Sequence, residues 1–269
     1  MSRPLRTTSV LVIGLFLGSA AWAGPLTVTV TVRNIAPTNS LAFAPLRLGF
    51  HDGTFDAFNS GETATAPIIS VAERGSGVEW FPAFQAADPT AVLGSVGGGP
   101  LLAGQSASQS FVVDPAANPF FTFATMVVPS NDLFLGNDSP TRFRLFDEFG
   151  RLTVDRIDQS AGDIWDAGSE TADAANAAFL VGGVNALRTP QNGVVSFDRS
   201  ELSAYRGRLT SGGYAFDDVS LTDTTGVYEI QITATPEPGT LVLLALGAAG
   251  VAGASRLRRR GPPSLPATV

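Results

Sequence analysis

"LTVTVTVRNI", residues 26–35, alternates apolar and polar side chains: Leu26, Val28, Val30 and Val32 fall on one face, Thr27, Thr29, Thr31 and Arg33 on the other. Successive strand residues point to opposite sides, so a two-residue period carried by β-branched types predicts a half-buried antiparallel strand. Near the other end "VYEIQITAT", residues 227–235, repeats the pattern, with Tyr228, Ile230 and Ile232 opposed to Glu229, Gln231 and Thr233. Both ends of this stretch can therefore sit in one sheet. Between them lie "PLRLGF", "SQSFVVD", "FFTFATMVVP", "RFRLFDEFGRLTVDRI" and "VVSF", separated by turn-rich segments such as "HDGTFDAFNSGE", "GSVGGGP" and "TSGGYAFDD". Short apolar runs punctuated by Gly, Asn, Asp and Pro predict an all-β fold, an antiparallel β-sandwich of about eight strands, with a closed barrel as the alternative closure. No long amphipathic helix is expected between residues 24 and 235.

Composition narrows the chemistry. The chain has 269 residues and a formal charge of −7. Residues 24–235 are more acidic still, because Arg3, Arg6 and the arginines near the C-terminus fall outside them. An acidic domain without a basic stripe is a poor partner for nucleic acid and a fair one for hard cations. Cysteine and lysine are both absent. Thiolate zinc sites, Schiff-base chemistry, a P-loop lysine and a serine–lysine dyad are thereby excluded.

The ends of the chain carry export signals. Arg3 and Arg6 precede the apolar run "SVLVIGLFLGSAA" and then Ala21-Trp22-Ala23, a small-x-small site for cleavage before Gly24. Residues 1–23 thus form a signal peptide with a signal helix. At the other end "TPEPGTLVLLALGAAGVAGASRLRRR" sets an apolar stretch from Thr240 to Ala254 before Arg256, Arg258, Arg259 and Arg260. The stretch is at the short edge of what crosses a hydrocarbon core of about 30 Å, and the arginines should stay cytoplasmic. Pro236-Glu237-Pro238, a hydrophobic helix and a basic cluster, in that order, resemble the PEP-CTERM sorting signal. The resemblance implies cleavage by an exosortase near Pro-Glu-Pro, with transient insertion in the inner membrane and final release or attachment at the cell surface. The expected organisation is a signal peptide at 1–23, one β-sandwich domain at 24–235, a sorting segment with its hydrophobic helix at 236–260, and a disordered tail at 261–269.

Catalytic motifs are sparse. The one histidine, His51 in "GFHDGTF", would have to serve any Ser-His-Asp triad, yet no G-x-S-x-G elbow is present, and neither Ser76 nor Ser95 lies in a strand-to-helix turn. His51 is expected to end a strand and hold a turn. Paired carboxylates for glycoside hydrolysis are available among Asp132, Asp147, Glu148, Asp163, Asp166 and Glu170. Trp80 and Trp165 are the candidates for a sugar-stacking platform. The glycines at 97–99 lack a following Gly-Lys-Ser/Thr and are read as a turn.

Two polar knots stand out. In "MVVPSNDLFLGND", residues 126–138, an apolar run breaks into Pro129, Ser130, Asn131 and Asp132; in "GDIWDAGSETADAAN", residues 162–176, Asp166 and Glu170 flank Ala167-Gly168-Ser169. Calcium takes roughly six to eight oxygens at about 2.3–2.6 Å, and two carboxylates around a glycine turn could supply some of them. Asp and Asn also serve as ordinary turn residues, and spacing alone leaves both readings open.

"PLRLGFHDGTFDAFNSGETATAPIISVAERG", "GPLLAGQSASQSF", "ATMVVPSNDLFLGND" and "WDAGSETADAAN", in this order, resemble the spondin domain, the N-terminal module of F-spondin, over about residues 27–235. The resemblance implies a C2-like β-sandwich that binds one calcium ion, with Asp132, Asp166 and Glu170 as its carboxylate ligands. Glu170 stands where some members have Asp, and Ser169 where they have Thr; the disulfides of the animal proteins have no counterpart here. The expectation is a non-enzymatic, calcium-binding domain at the cell surface or in extracellular matrix, processed by exosortase, with exopolysaccharide or a surface protein as partner. The competing expectations are a glycosidase using two of the same carboxylates and a carbohydrate-binding module using Trp80 or Trp165.

Overall fold

A computed structural model describes residues 24–236. In chain order the elements are β1 (Leu26–Asn34), β2 (Ala42–Phe43), β3 (Leu46–His51), α1 (Ala66–Arg74), α2 (Trp80–Ala87), β4 (Val92–Val96), β5 (Ser106–Val113) and β6 (Phe120–Val128). They are followed by β7 (Leu133–Gly136), β8 (Phe143–Arg144), β9 (Arg156–Ser160), β10 (Trp165–Asp166), β11 (Ser196–Phe197), α3 (Leu202–Tyr205) and β12 (Gly226–Pro236). Two antiparallel sheets result, one ordered β5-β1-β12-β9 and the other β11-β10-β7-β6-β3-β4, with β2 and β8 also pairing with β6. The fold is an all-β sandwich.

The alternating strand β1 lies in the smaller sheet. Leu26, Val28, Val30 and Val32 are buried, and the whole strand pairs with β12 from Leu26↔Pro236 to Asn34↔Tyr228. On its outer face the hydroxyls of Thr29 and Thr31 meet those of Ser110 and Ser108 on β5, each at 2.8 Å. Apolar side chains of β1 and β12 pack across the sandwich on Leu46, Leu48, Phe50, Phe121 and Phe123. Burial of this surface, at about 25 cal/mol per Å², is the main force holding the two sheets together.

The larger sheet is covered on both sides, and this explains the unbroken apolar run of β6. Phe121 and Phe123 face the smaller sheet, while Ala124 packs with Ile68 and Val71 of α1, Trp80 and Phe84 of α2, and Phe55. A strand buried on both faces has no reason to alternate. The close approach of α2 dictates a glycine in β3: a Cβ on Gly49 would lie 2.4 Å from the Phe84 ring. The two helices, nine and eight residues long, are shorter than the expectation of no long helix addressed. Their local signals are present nonetheless: Thr65 caps α1, Pro67 stands in its first turn, and Gly75 ends it with φ 59°.

Two expected strands are cut short. "RFRLFDEFGRLTVDRI" becomes β8 and β9, separated by a turn in which Asp147 accepts from the backbone N–H groups of Phe149 and Arg151. "VVSF" keeps only Ser196 and Phe197 in β11. Conversely, β4 extends into "GSVGGGP" as far as Val96. The signal helix and the sorting helix lie outside the described residues; among those described, no helix is long and apolar enough to cross a membrane.

Candidate metal centre

The pairing of β7 with β10 joins the two polar knots. Asp166 is registered opposite Leu133 and Trp165 opposite Phe134, so Asp132, one residue before β7, meets the chain just after β10. The Ala167 N–H donates to the Asp132 carbonyl at 3.2 Å. Beyond it the chain turns at Gly168, with φ 63°, and a Cβ there would lie 2.7 Å from the Val194 nitrogen. Only glycine satisfies both the left-handed conformation and the contact. The turn aims two successive N–H groups inward, and Asp132 Oδ2 accepts from Ser169 at 2.7 Å and from Glu170 at 2.9 Å. The Ser169 hydroxyl lies 3.2 Å from the same oxygen and 2.9 Å from Glu73 Oε1, so its single proton can serve one carboxylate at a time.

Asp166 uses Oδ1 to accept from the Gly168 N–H at 2.6 Å, closing the turn that carries it. Glu170 reaches back to the first knot, where Oε1 accepts from Asn131 Nδ2 at 3.0 Å. Its other oxygen, Oε2, is buried with no hydrogen-bond partner. Asn131 is the hub: its Oδ1 accepts from the Asp173 N–H and the Tyr205 hydroxyl, and its own N–H donates to Glu201 Oε1 at 3.1 Å. Ser130 shapes the turn through bonds to the Val127 carbonyl and the Leu133 N–H.

Of the three carboxylates named from the sequence, Asp132 is the one that acts on both others, Asp166 and Glu170, and on Glu73 from α1 and Glu201 at the start of α3. Asp132, Glu73, Glu170 and Glu201 are buried. Burial pushes Asp166 up to about 6, with the charge of Asp132 adding to it. Burial likewise raises Glu170 to about 7, opposed by the Asn131 hydrogen bond and reinforced by Glu73 and Asp132. Glu201 is raised to about 8, again by burial first and Asp132 second. Burial also raises Glu73 and Asp132. Arg188, paired with Glu73, also acts on Asp132 and Glu170, and Arg74 acts on Glu73.

A hard cation fits the donor chemistry, which is all oxygen, and it would give the orphaned Glu170 Oε2 a partner. The arrangement is not a closed cage: among the described residues, no group of three or more His, Cys, Asp or Glu side chains stands in metal-ligating geometry. Asp132 Oδ2 is engaged by backbone N–H groups, which leaves Oδ1 outside those bonds. Glu73, Glu201 and Tyr205 were not anticipated, since each reaches the cluster from a distant helix and no local pattern marks it.

The other candidates separate clearly. His51 is buried; Nδ1 accepts from the Gly53 N–H at 3.1 Å, so Nε2 carries the proton it shares with Thr122 Oγ1 at 3.0 Å. Burial lowers its pKa to about 4, and it is a neutral turn-holding residue at pH 7. The two tryptophans expected as sugar platforms are both buried. Trp80 packs among Phe55 and Phe84, and Trp165 donates from Nε1 to the Gly136 carbonyl at 3.1 Å beneath the ring of Phe197. Large flat side chains in this fold fill the layer between the sheet and its covering helices and loops, which removes both from solvent.

Fold and cluster together define an acidic all-β sandwich with a buried group of carboxylates at one end. Comparison with protein families matches residues 234–260 to the PEP-CTERM protein-sorting motif. This indicates an exported, surface-sorted protein handled by exosortase. The match covers the sorting segment, and no spondin-domain match accompanies it. None of the curated proteins matches the chain. Of the sorting residues, Pro236 ends β12, whereas Glu237, Pro238, Arg256, Arg258, Arg259 and Arg260 lie outside the described residues.

Proposed function

We propose that residues 24–235 form a non-enzymatic, spondin-like domain that binds one calcium ion through Asp132, Asp166 and Glu170 and serves in cell-surface or matrix association after exosortase processing. The observation that carries the reading is the buried, unpartnered Glu170 Oε2 set among carboxylates that raise one another's pKa. A bound cation supplies the charge that this end of the sandwich lacks. Binding to the folded state alone then stabilises the fold by linkage. The partner in this reading is exopolysaccharide or a surface protein.

The test is the melting temperature of the processed protein at pH 7.5 in calcium and in chelator. A rise with calcium that disappears in Asp132→Asn and Asp166→Asn supports the proposal. Equal melting temperatures in calcium and chelator overturn it.

A further inference from the structure

Burial of Trp165 leaves a different aromatic ring in solvent. Phe197, on the short edge strand β11, is 58 % exposed although its ring stacks on Trp165 with centroids 3.6 Å apart and planes 24° apart. One face is fixed by the indole; the rest of the ring projects between two clefts. The first, of about 290 Å³, is bounded by Gly162, Asp198, Arg199, Ser200 and Asp223. The second, of about 260 Å³, is bounded by Asn137, Asp138, Arg142, Gln159 and Asp163. Each falls just below the roughly 300–1,000 Å³ usual for sites that enclose a whole ligand.

We infer that Phe197 and its two flanking clefts bind a neutral polysaccharide, with a sugar ring stacked on the exposed phenyl face and neighbouring rings entering the clefts. A pyranose presents C–H bonds on its faces and hydroxyls around its rim, so it needs a flat apolar surface ringed by hydrogen-bonding groups. Both clefts supply this. Arg199 is held by Asp223 at 2.6 Å and by the Ala161 carbonyl at 3.2 Å, a fixed wall for the first cleft. In the second, Asp138 and the Gln159 carbonyl can accept hydroxyl protons, and Arg142 forms no ion pair among the described residues. Each cleft has two aspartates to one arginine, which disfavours uronates and phosphorylated sugars. The stacked tryptophan holds the platform in place before the ligand arrives, reducing the ordering cost of binding.

This inference rests on the proposed surface role but not on calcium. The test is affinity electrophoresis of the processed protein through gels containing, separately, glucan, mannan, galactan and alginate, in calcium and in chelator. Retardation by at least one neutral polysaccharide is expected, weakened about tenfold or more by Phe197→Ala. A smaller loss is expected for Gln159→Ala, and no change for Phe149→Ala, an exposed ring elsewhere. No retardation by any neutral gel, retardation that survives Phe197→Ala, or preference for alginate would overturn the inference. The calcium reading is judged by the melting temperature and is untouched by these outcomes.

Discussion

Asp132 has two roles that substitutions can separate. Its Oδ2 accepts two backbone N–H groups of the Gly168 turn, and its charge raises the pKa of Asp166, Glu170 and Glu201. Asp132→Ala leaves both N–H groups buried without an acceptor and should cost about 2–4 kcal/mol in urea denaturation. Asp132→Asn keeps an oxygen and removes the repulsion, so in chelator it should cost clearly less than the alanine. Gly168→Ala combines a positive φ with a Cβ 2.7 Å from the Val194 nitrogen. It should lose more than the about 1 kcal/mol of an unfavourable left-handed residue, read by the same denaturation curves. At this scale Asp132, Asp166 and Glu170 are visible in the sequence as members of two short polar motifs, and their joint role as calcium ligands is part of the proposal. Glu73 and Glu201 are not marked there, since they reach the cluster only through the packing of α1 and α3. The exposed aromatic is not marked either: Trp80 and Trp165 are buried, while Phe197 in "VVSF" has the local pattern of any strand residue and is exposed.

Among the elements, β1 and β12 were legible because one face is dry and the other wet, and the period shows it. β6 was legible as a strand but not as a strand covered on both sides. That covering fixes Gly49: Gly49→Ala drives a methyl into the Phe84 ring and should destabilise by about 1–3 kcal/mol, measured by thermal unfolding. β7 and β10, four and two residues long, are too short to leave a period. Their register is nevertheless what assembles the carboxylate cluster. Pairing between residues some thirty positions apart is written in no local window, so the convergence of the two knots required the resemblance or the structure.

For the molecule as a whole, the cluster sets a pH dependence. Asp166, Glu170 and Glu201 have folded-state pKa values raised to about 6, 7 and 8, above the about 4 of unfolded carboxylates. The folded state therefore holds more protons across that window, and stability is lost as pH rises through it. In chelator the melting temperature should fall from pH 5 to pH 8. If calcium replaces those protons, its stabilising effect should be largest at the upper end of the range.

The register of β1 with β12 has a directional consequence. Pro236, where the sorting motif emerges from the fold, lies beside Leu26. The carboxylates lie beyond the other end of these strands: Asn34 bonds the Leu41 and Leu101 carbonyls, Leu101 pairs with Phe43, and Ala42 pairs with Val128, just before Pro129. Nine strand residues separate the two poles by about 30 Å. A domain tethered through the chain after Pro236 would stand on its tether with the acidic loops outermost, facing whatever approaches the cell.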